Sequence, residues 1–429
     1  MATGATIRGR SRHGGERRKS EAAGTTLRHA SVRNVLALTR QRETVSVAEV
    51  AQATRLSKTT AKKTLDLLAS ARLVVSAGKG TSTEEGGKRP ELYQFNKAYG
   101  YVISAHVTPD ALIAVTTDLH GDITYYRKTS VGAERGLSSI LSRIAADVRS
   151  FHTLKATTCE RLIAIAVALP GLADFVHGVS IYSPHYPSWG RDVPFAQLLR
   201  DRLGRGFDVP VFVENVNRWQ ALAERDKGVA SGVTNFLIVD MLDEGLGAGI
   251  VTHGELMRGA QALSGEIGHM TVNPVDGPRC ICGSRGCFEA MVSMKRIRQL
   301  AKQARERGVS SPLFSCAAED QASLDDLCDL ASAGDPLCLE LLDDVARWFV
   351  VGLGNVMMVN DPELVVIQGP VVRTGELFLE RLRKGIREIG LPDVAKRVRI
   401  EYSRLGEERG VLGAAAFALS EFFSRRLRL

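Results

Sequence analysis

From Gly100 onward the chain alternates short apolar runs with polar turns. Tyr101–Val107, Ala111–Thr117 and Asp122–Lys128 read as three strands, separated by the turn residues Thr108-Pro109-Asp110 and His120-Gly121. Leu137–Phe151 has helical spacing. The runs RLIAIAVALPG, ending at Gly171, and VPVFVEN, ending at Asn215, are apolar throughout, as strands buried on both faces are. Asn235–Asp240, Gly247–Thr252 and Gly268–Asn273 then repeat the three-strand meander. Two similar halves predict two α/β lobes with a cleft between them. Further on, Ala346–Val359 predicts a helix, Glu363–Gly369 a core strand, and Gly410–Phe423 a closing helix.

The first hundred residues follow another pattern. Residues 27–73 predict three short helices. Val32, Val35, Leu36 and Leu38 mark the first. Ser46 caps the second, with Glu49 completing a capping box; Ser57 caps the third, whose apolar side is Ala61, Leu65 and Leu68. Leu73–Asn96 reads as a β-hairpin with a polar, Gly-rich, mobile tip. The set resembles the winged helix-turn-helix of bacterial repressors, whose third helix enters the major groove. On that reading Lys58, Thr59, Thr60, Lys62 and Lys63 face base edges and phosphates, and Lys79, Lys88 and Arg89 on the hairpin reach the backbone or minor groove. A plain helical bundle with a solvated basic face is the alternative. Residues 1–25, rich in Gly, Ser and Arg, predict a disordered basic tail.

Charge sharpens that division. Residues 1–97 hold 19 Lys and Arg against 8 Asp and Glu; the remainder, 37 against 40, is near neutral. A basic module on a neutral body is the electrostatic footprint of a nucleic-acid binder, so double-stranded operator DNA is the expected partner. Of the 429 residues, 44% are hydrophobic, yet no apolar run reaches the ~18 residues of a membrane helix. The basic N-terminus lacks the apolar core of a secretory signal. An odd count of 7 cysteines, three of them clustered, suits a reducing cytoplasm.

The candidate chemistry lies in Gly259–Glu289. His269, Cys280, Cys282 and Cys287 have the atom types and spacing of a closed structural Zn²⁺ site. Gly283 and Gly286 let three sulfurs converge. Three cysteines buried by chance would look the same in sequence. A metal that fixes His269 also fixes the neighbouring carboxylates, Glu266 and Glu289.

The segments G-L-G-A-G-I (Gly245–Ile250), G-E-I-G-H (Gly265–His269) and C-I-C-G-S-R-G-C-F-E (Cys280–Glu289) together resemble the ROK family of repressors and sugar kinases. The likeness runs from near Gly100 to the end. It implies an actin-like, two-lobed sugar-kinase fold, ribonuclease H-like and duplicated, over residues 98–429, with the winged helix-turn-helix over 26–97. It also implies that Gly171, Asn215, Glu266, His269 and Glu289 hold a sugar, that His269 ligates zinc as well, and that the chain forms a homodimer or homotetramer. Two departures bear on activity. The family's kinases carry an aspartate-Gly-Gly-Thr phosphate loop where this chain has His106-Val107-Thr108-Pro109-Asp110, and an aspartate base where it has Val216. Proline removes an N–H that phosphate would need, and valine accepts no proton. The adenosine loop is altered too, to Gln368-Gly369-Pro370. The expectation is a sugar-controlled transcriptional regulator, without catalytic residues, acting on carbohydrate genes. An active sugar kinase with an attached DNA module is the rival.

Overall fold

The computed structural model describes residues 30–81, 89–155, 161–243, 245–315, 321–389, 393 and 397–426. Helix α1 spans residues 30–41, α2 Val47–Thr54 and α3 Lys58–Ser70. The expected capping box holds α2: the Glu49 amide donates to Ser46 Oγ at 3.2 Å, and the Ser46 amide to the Glu49 carboxylate at 2.6 Å. Ser57 caps α3. Strands β1 (Val45–Ser46), β2 (Val74–Lys79) and β3 (Glu91–Phe95) form an antiparallel sheet in the order β1-β3-β2. Val50, Ala51, Ala61, Leu65 and Leu68 fill the space between helices and sheet.

The rest is built on two five-stranded sheets of one topology. The first comprises β4 (Tyr101–Val107), β5 (Ala111–Asp118), β6 (Ile123–Ser130), β7 (Leu162–Leu169) and, beyond a small hairpin of β8 (Leu172–Asp174) and β9 (Val179–Tyr182), β10 (Val211–Asn215). Its order is β10-β7-β4-β5-β6: an antiparallel meander extended by two parallel strands. The second repeats this with β11 (Phe236–Leu242), β12 (Gly245–Thr252), β13 (Glu255–Leu256), β14 (Leu364–Gln368) and β15 (Arg399–Tyr402), in the order β13-β12-β11-β14-β15. The duplication expected from the sequence is present, with one correction. The third strand of the second meander is β13, not Gly268–Asn273. Residues Ile267–His269 instead form a 3₁₀ turn. The place beside β12 is already taken by Glu255–Leu256, which follows it directly in the chain and pairs with it.

Alternation along the strands sends side chains to two layers. Tyr101, Ile103 and Ala105 pack under α4 (Leu137–Lys155) and α5 (Phe195–Leu203). Val102 and the alanines Ala164, Ala166 and Ala168 meet Trp219 of α6 (Val216–Lys227) and Phe417 of α12 (Arg409–Arg426). Five further helices, α7 (Phe288–Val292), α8 (Met294–Glu306), α9 (Leu324–Ser332), α10 (Pro336–Asn360) and α11 (Glu376–Glu388), cover the outer face of the second sheet. Its inner face, with Phe236, Ile238 and Val366, packs on Ala221 of α6. Helix α6 therefore lies between the two sheets. The core under α6 and α12 is continuous with the N-terminal helices through Phe95, Tyr99 and Phe423.

Helices α6 and α12 touch backbone to backbone. A Cβ on Gly413 would overlap the Trp219 carbonyl oxygen. Gly413→Ala must force them apart, and overpacking of this kind costs about 1–3 kcal/mol. The expected result is a lower calorimetric unfolding midpoint; an unchanged midpoint would mean the helices have room for a methyl group.

Candidate ligand and metal site

The cysteine segment folds into a compact knuckle before any metal is considered. The Gly283 amide donates to Cys280 O at 3.0 Å, Cys280 N to Ser284 O at 2.8 Å, and Gly286 N to Pro278 O at 2.8 Å. Gly286, at φ 66°, lies so close to Asn273 that any Cβ would overlap its carbonyl. These turns bring together the four residues singled out in sequence. His269 Nδ1 is 3.6 Å from Cys280 Sγ, and Cys282 Sγ is 3.6 Å from Cys287 Sγ. All four donor atoms lie within 4.8 Å of one another, and the cysteines are free. A tetrahedral ion with metal–sulfur bonds of about 2.3 Å and metal–nitrogen bonds of about 2.0 Å spaces its ligand atoms roughly 3.5–3.8 Å apart. The cluster matches that spacing. Burial pushes the Cys287 thiol up to about 12, so a thiolate there calls for a cation beside it.

The same knuckle positions the polar residues. Glu289 opens α7 two residues after Cys287. Its Oε2 accepts from Leu246 N at 3.1 Å, and its other oxygen lies 3.9 Å from Cys280 Sγ. Glu266 precedes the 3₁₀ turn that carries His269. Burial raises its carboxyl above the usual carboxylate range, opposed by the charges of Arg218 and His269. From the first half, Asn215 caps α6: its Oδ1 accepts from Asn217 N at 2.9 Å and Arg218 N at 3.2 Å, and its Nδ2 donates to Gly171 O at 2.7 Å. Gly171, at φ 86°, leaves no room for a side chain beside Tyr182 O. Gly171 and Asn215 thus stand at the carboxyl ends of parallel strands, the usual place for ligands in such sheets.

Sequence reading missed the residues that join these two groups. Arg218 is buried, with Nη1 3.0 Å from Glu214 Oε1, Nε 3.2 Å from Ser264 O, a further bond to Ala262 O, and Nη2 3.7 Å from Glu266. Arg258 adds a bond to Glu214 Oε2 at 3.0 Å and stacks over Phe175 at 4.5 Å. Glu214 lies at the end of β10, just ahead of α6, and Arg218 in the first turn of α6, four residues on; that i,i+4 spacing of opposite charges is the signal that could have paired them.

On the other side of the cleft the turn between β4 and β5 is closed on itself. Thr108 Oγ1 accepts from Asp110 N at 3.3 Å and Ala111 N at 2.8 Å. His106 is half-buried against the head of α12, beside Gly410. Burial, then the charge of Arg409, lowers its pKa to about 3, and Arg409 pairs with Asp240 at 3.4 Å. Val216 is buried at the first position of α6. Gln368 donates to Glu224 at 3.2 Å.

In the N-terminal unit Lys58, Thr59, Thr60 and Lys63 are exposed along α3, as are Lys79 and Arg89 at the hairpin base. Lys88 lies outside the described residues. Lys62 departs from the expected free cation: its ammonium is held by Asp66 at 2.8 Å, Glu91 at 3.4 Å and the Tyr93 hydroxyl. The reason is tertiary, since Glu91 and Tyr93 reach it from β3.

Comparison with known proteins agrees with this architecture. Residues 110–421 match the ROK family. The chain is similar to the xylose repressor of Bacillus spizizenii, 28% identical over 88% of this chain and 92% of the relative. Its fold is like that of a ROK family transcriptional regulator, a homologue of the E. coli MLC protein, with a TM-score of 0.79 at 24% identity over 94% of this chain and 98% of that one. It is also like that of a ROK family glucokinase from Streptomyces griseus solved with glucose and AMPPNP, with a TM-score of 0.62 at 27% identity over 75% of this chain and all (100%) of that one. The two sheets are those of the actin-like sugar-kinase fold, and the chain belongs to the ROK family.

Proposed function

We propose that this protein is a sugar-responsive transcriptional repressor of carbohydrate genes. Residues 26–97 act as a winged helix-turn-helix on operator DNA, and residues 98–429 act as a sugar-binding body. One observation carries the reading. The side of the cleft that offers carboxylates, an amide and an imidazole is fully assembled, while the side that would hold phosphate has its amides tied to Thr108 and Val216 where a base would stand. Similarity to the xylose repressor supports it, and makes D-xylose the first sugar to try.

In this reading Gly171, Asn215, Glu266, His269 and Glu289 receive the sugar. Carboxylates accept paired hydrogen bonds from neighbouring hydroxyls. Most of Asn215's capacity is spent on capping α6, which leaves it one N–H for a ligand. His269, Cys280, Cys282 and Cys287 hold a Zn²⁺ ion; bound there, it neutralises thiolate charge and locks the knuckle that carries Glu289. With Nδ1 turned to the sulfurs, His269 keeps Nε2 for a hydroxyl. The chain acts as a homodimer or homotetramer, which places two DNA units on a palindromic operator. Among the described residues no helix is long and apolar enough to cross a membrane.

Three outcomes are expected. In a thermal-shift panel of D-xylose, D-glucose and their phosphates, the cognate sugar at 100 times its Kd adds about 2.7 kcal/mol of stability; no shift with any of them would count against a sugar of this class. Cys282→Ser should lose the metal, measured by elemental analysis, and the sugar shift with it, while the N-terminal helices stay folded. On DNA, Lys63→Ala should lower the slope of log Kobs against log salt by ~1 if it meets a phosphate. Lys62→Ala should change that slope less, because its charge is already matched by Asp66 and Glu91. Sugar phosphate formed from ATP, and abolished by Glu266→Gln, would instead favour the kinase reading.

A further inference from the structure

Helix α6 is fastened at both ends to parts of the molecule that the repressor reading requires to communicate. At its head, Arg218 binds the carbonyls of Ala262 and Ser264 and lies 3.7 Å from Glu266, so the loop bearing that carboxylate is seated on the first turn of α6. Along its length, α6 lies against α12, with Trp219 stacked on Phe417 at 5.8 Å. Near its tail Lys227 pairs with Asp122 at 2.7 Å, in the β5–β6 turn that also carries Leu119, whose carbonyl accepts from Arg40 of α1. Arg40 thus belongs to the N-terminal unit but reaches into the body.

The setting of Arg40 is unusual for a cation. Its guanidinium lies over the ring of Phe423 of α12 at 4.7 Å and that of Phe95 of β3 at 5.8 Å. Its hydrogen bond to Leu119 O is long, at 3.5 Å. Its Nε is buried with no hydrogen-bond partner among the described residues. Phe95 and Phe423 approach each other at 6.3 Å, and Phe95 meets His120 edge-on at 5.6 Å. A guanidinium laid over Phe95 of β3 and Phe423 of α12 touches the N-terminal unit and the body at once, so a slide of α12 changes both contacts together.

We propose that α6 and α12 form a rod between the sugar loop and the N-terminal unit, with Arg218 the positioning residue at its head and Arg40 the joint at its tail. The proposal rests on the sugar-responsive repressor reading. Sugar drawn against Glu266 shifts the loop on Arg218 and hence the seating of α6. The paired α12 carries Phe423 with it, and Arg40 passes the change to α1 and β3, altering how the unit presents α3. Two discrete seatings of the rod, each favoured by one ligand, are what coupling between the sites requires.

The test uses the full-length, metal-loaded protein and a duplex that it selects from a random-sequence pool. The effector is D-xylose or D-glucose, whichever raises the melting temperature. Duplex Kd is measured with and without sugar, and sugar Kd with and without duplex. Where the wild type shows a coupling factor of about fivefold or more, in the usual range, Arg40→Met should reduce it below about twofold in both directions. Sugar-free duplex Kd and duplex-free sugar Kd should each stay within about threefold of wild type. Arg218→Lys should instead weaken sugar binding at least about tenfold, worth about 1.4 kcal/mol, with metal content unchanged. An Arg40→Met protein that keeps the full coupling factor overturns the joint while leaving the repressor reading intact. Loss of sugar-free duplex binding in both Arg40→Met and Arg40→Lys also overturns it, because the contact would then serve the fold. A wild type whose grip on DNA ignores both sugars overturns the reading and the joint together.

Discussion

An ion pair shut away from water stands where the two halves of the body meet. Glu214 is 0% exposed and Arg218 1%. Ions so placed cost several kcal/mol each in lost hydration, and only a complete set of partners offsets that cost. The set is close to complete. Glu214 takes Arg218 on one oxygen and Arg258 on the other; Arg218 gives two further N–H groups to the carbonyls of Ala262 and Ser264. Those partners come from β10, from α6, and from the loop ahead of Glu266. They coincide only when both halves are in place, so the polar network specifies how the lobes meet, which apolar packing alone would specify less sharply.

The candidate sugar residues depend on that junction from one side and on the cysteine knuckle from the other. Asn215 follows Glu214 directly, and Glu266 lies against Arg218. Glu289 hangs from the knuckle and is steadied by the Leu246 amide. Carboxylates anchored at separate points and converging on one region make a rigid polar floor. The opposite wall has been given over to the protein's own contacts. Thr108 consumes the amides of its turn, and the head of α12 brings Arg409 to Asp240 and packs Gly410 against His106.

Much of this was legible in the chain itself. The strands of the first meander, the first two of the second, the capping box at Ser46, the cap at Ser57 and the histidine-cysteine cluster follow from rules that act over a few residues. An apolar run pairs as a strand, a hydroxyl caps the helix that follows it, and sulfurs spaced by glycines converge. The strand expected over Gly268–Asn273 failed because the two-residue strand Glu255–Leu256 takes the edge of β12 first. Lys62 looked like its exposed neighbours, yet Glu91 and Tyr93 claim it from another strand.

By itself, then, the sequence determined the basic first 97 residues and near-neutral remainder, the duplicated α/β pattern, the histidine-cysteine cluster, and the residues Pro109 and Val216. Tertiary structure alone decided that α6 lies between the sheets, that Arg218 and Arg258 share Glu214, and that Arg40 reaches across to Phe423. The physical reason is one of range. Spacing, capping and alternation are properties of neighbouring residues. The partner of a buried charge is whichever group the folded chain brings beside it; Arg218 and Glu214 are four apart, but Ala262, Ser264 and Arg258, which complete their set, lie about 40 residues or more away in sequence.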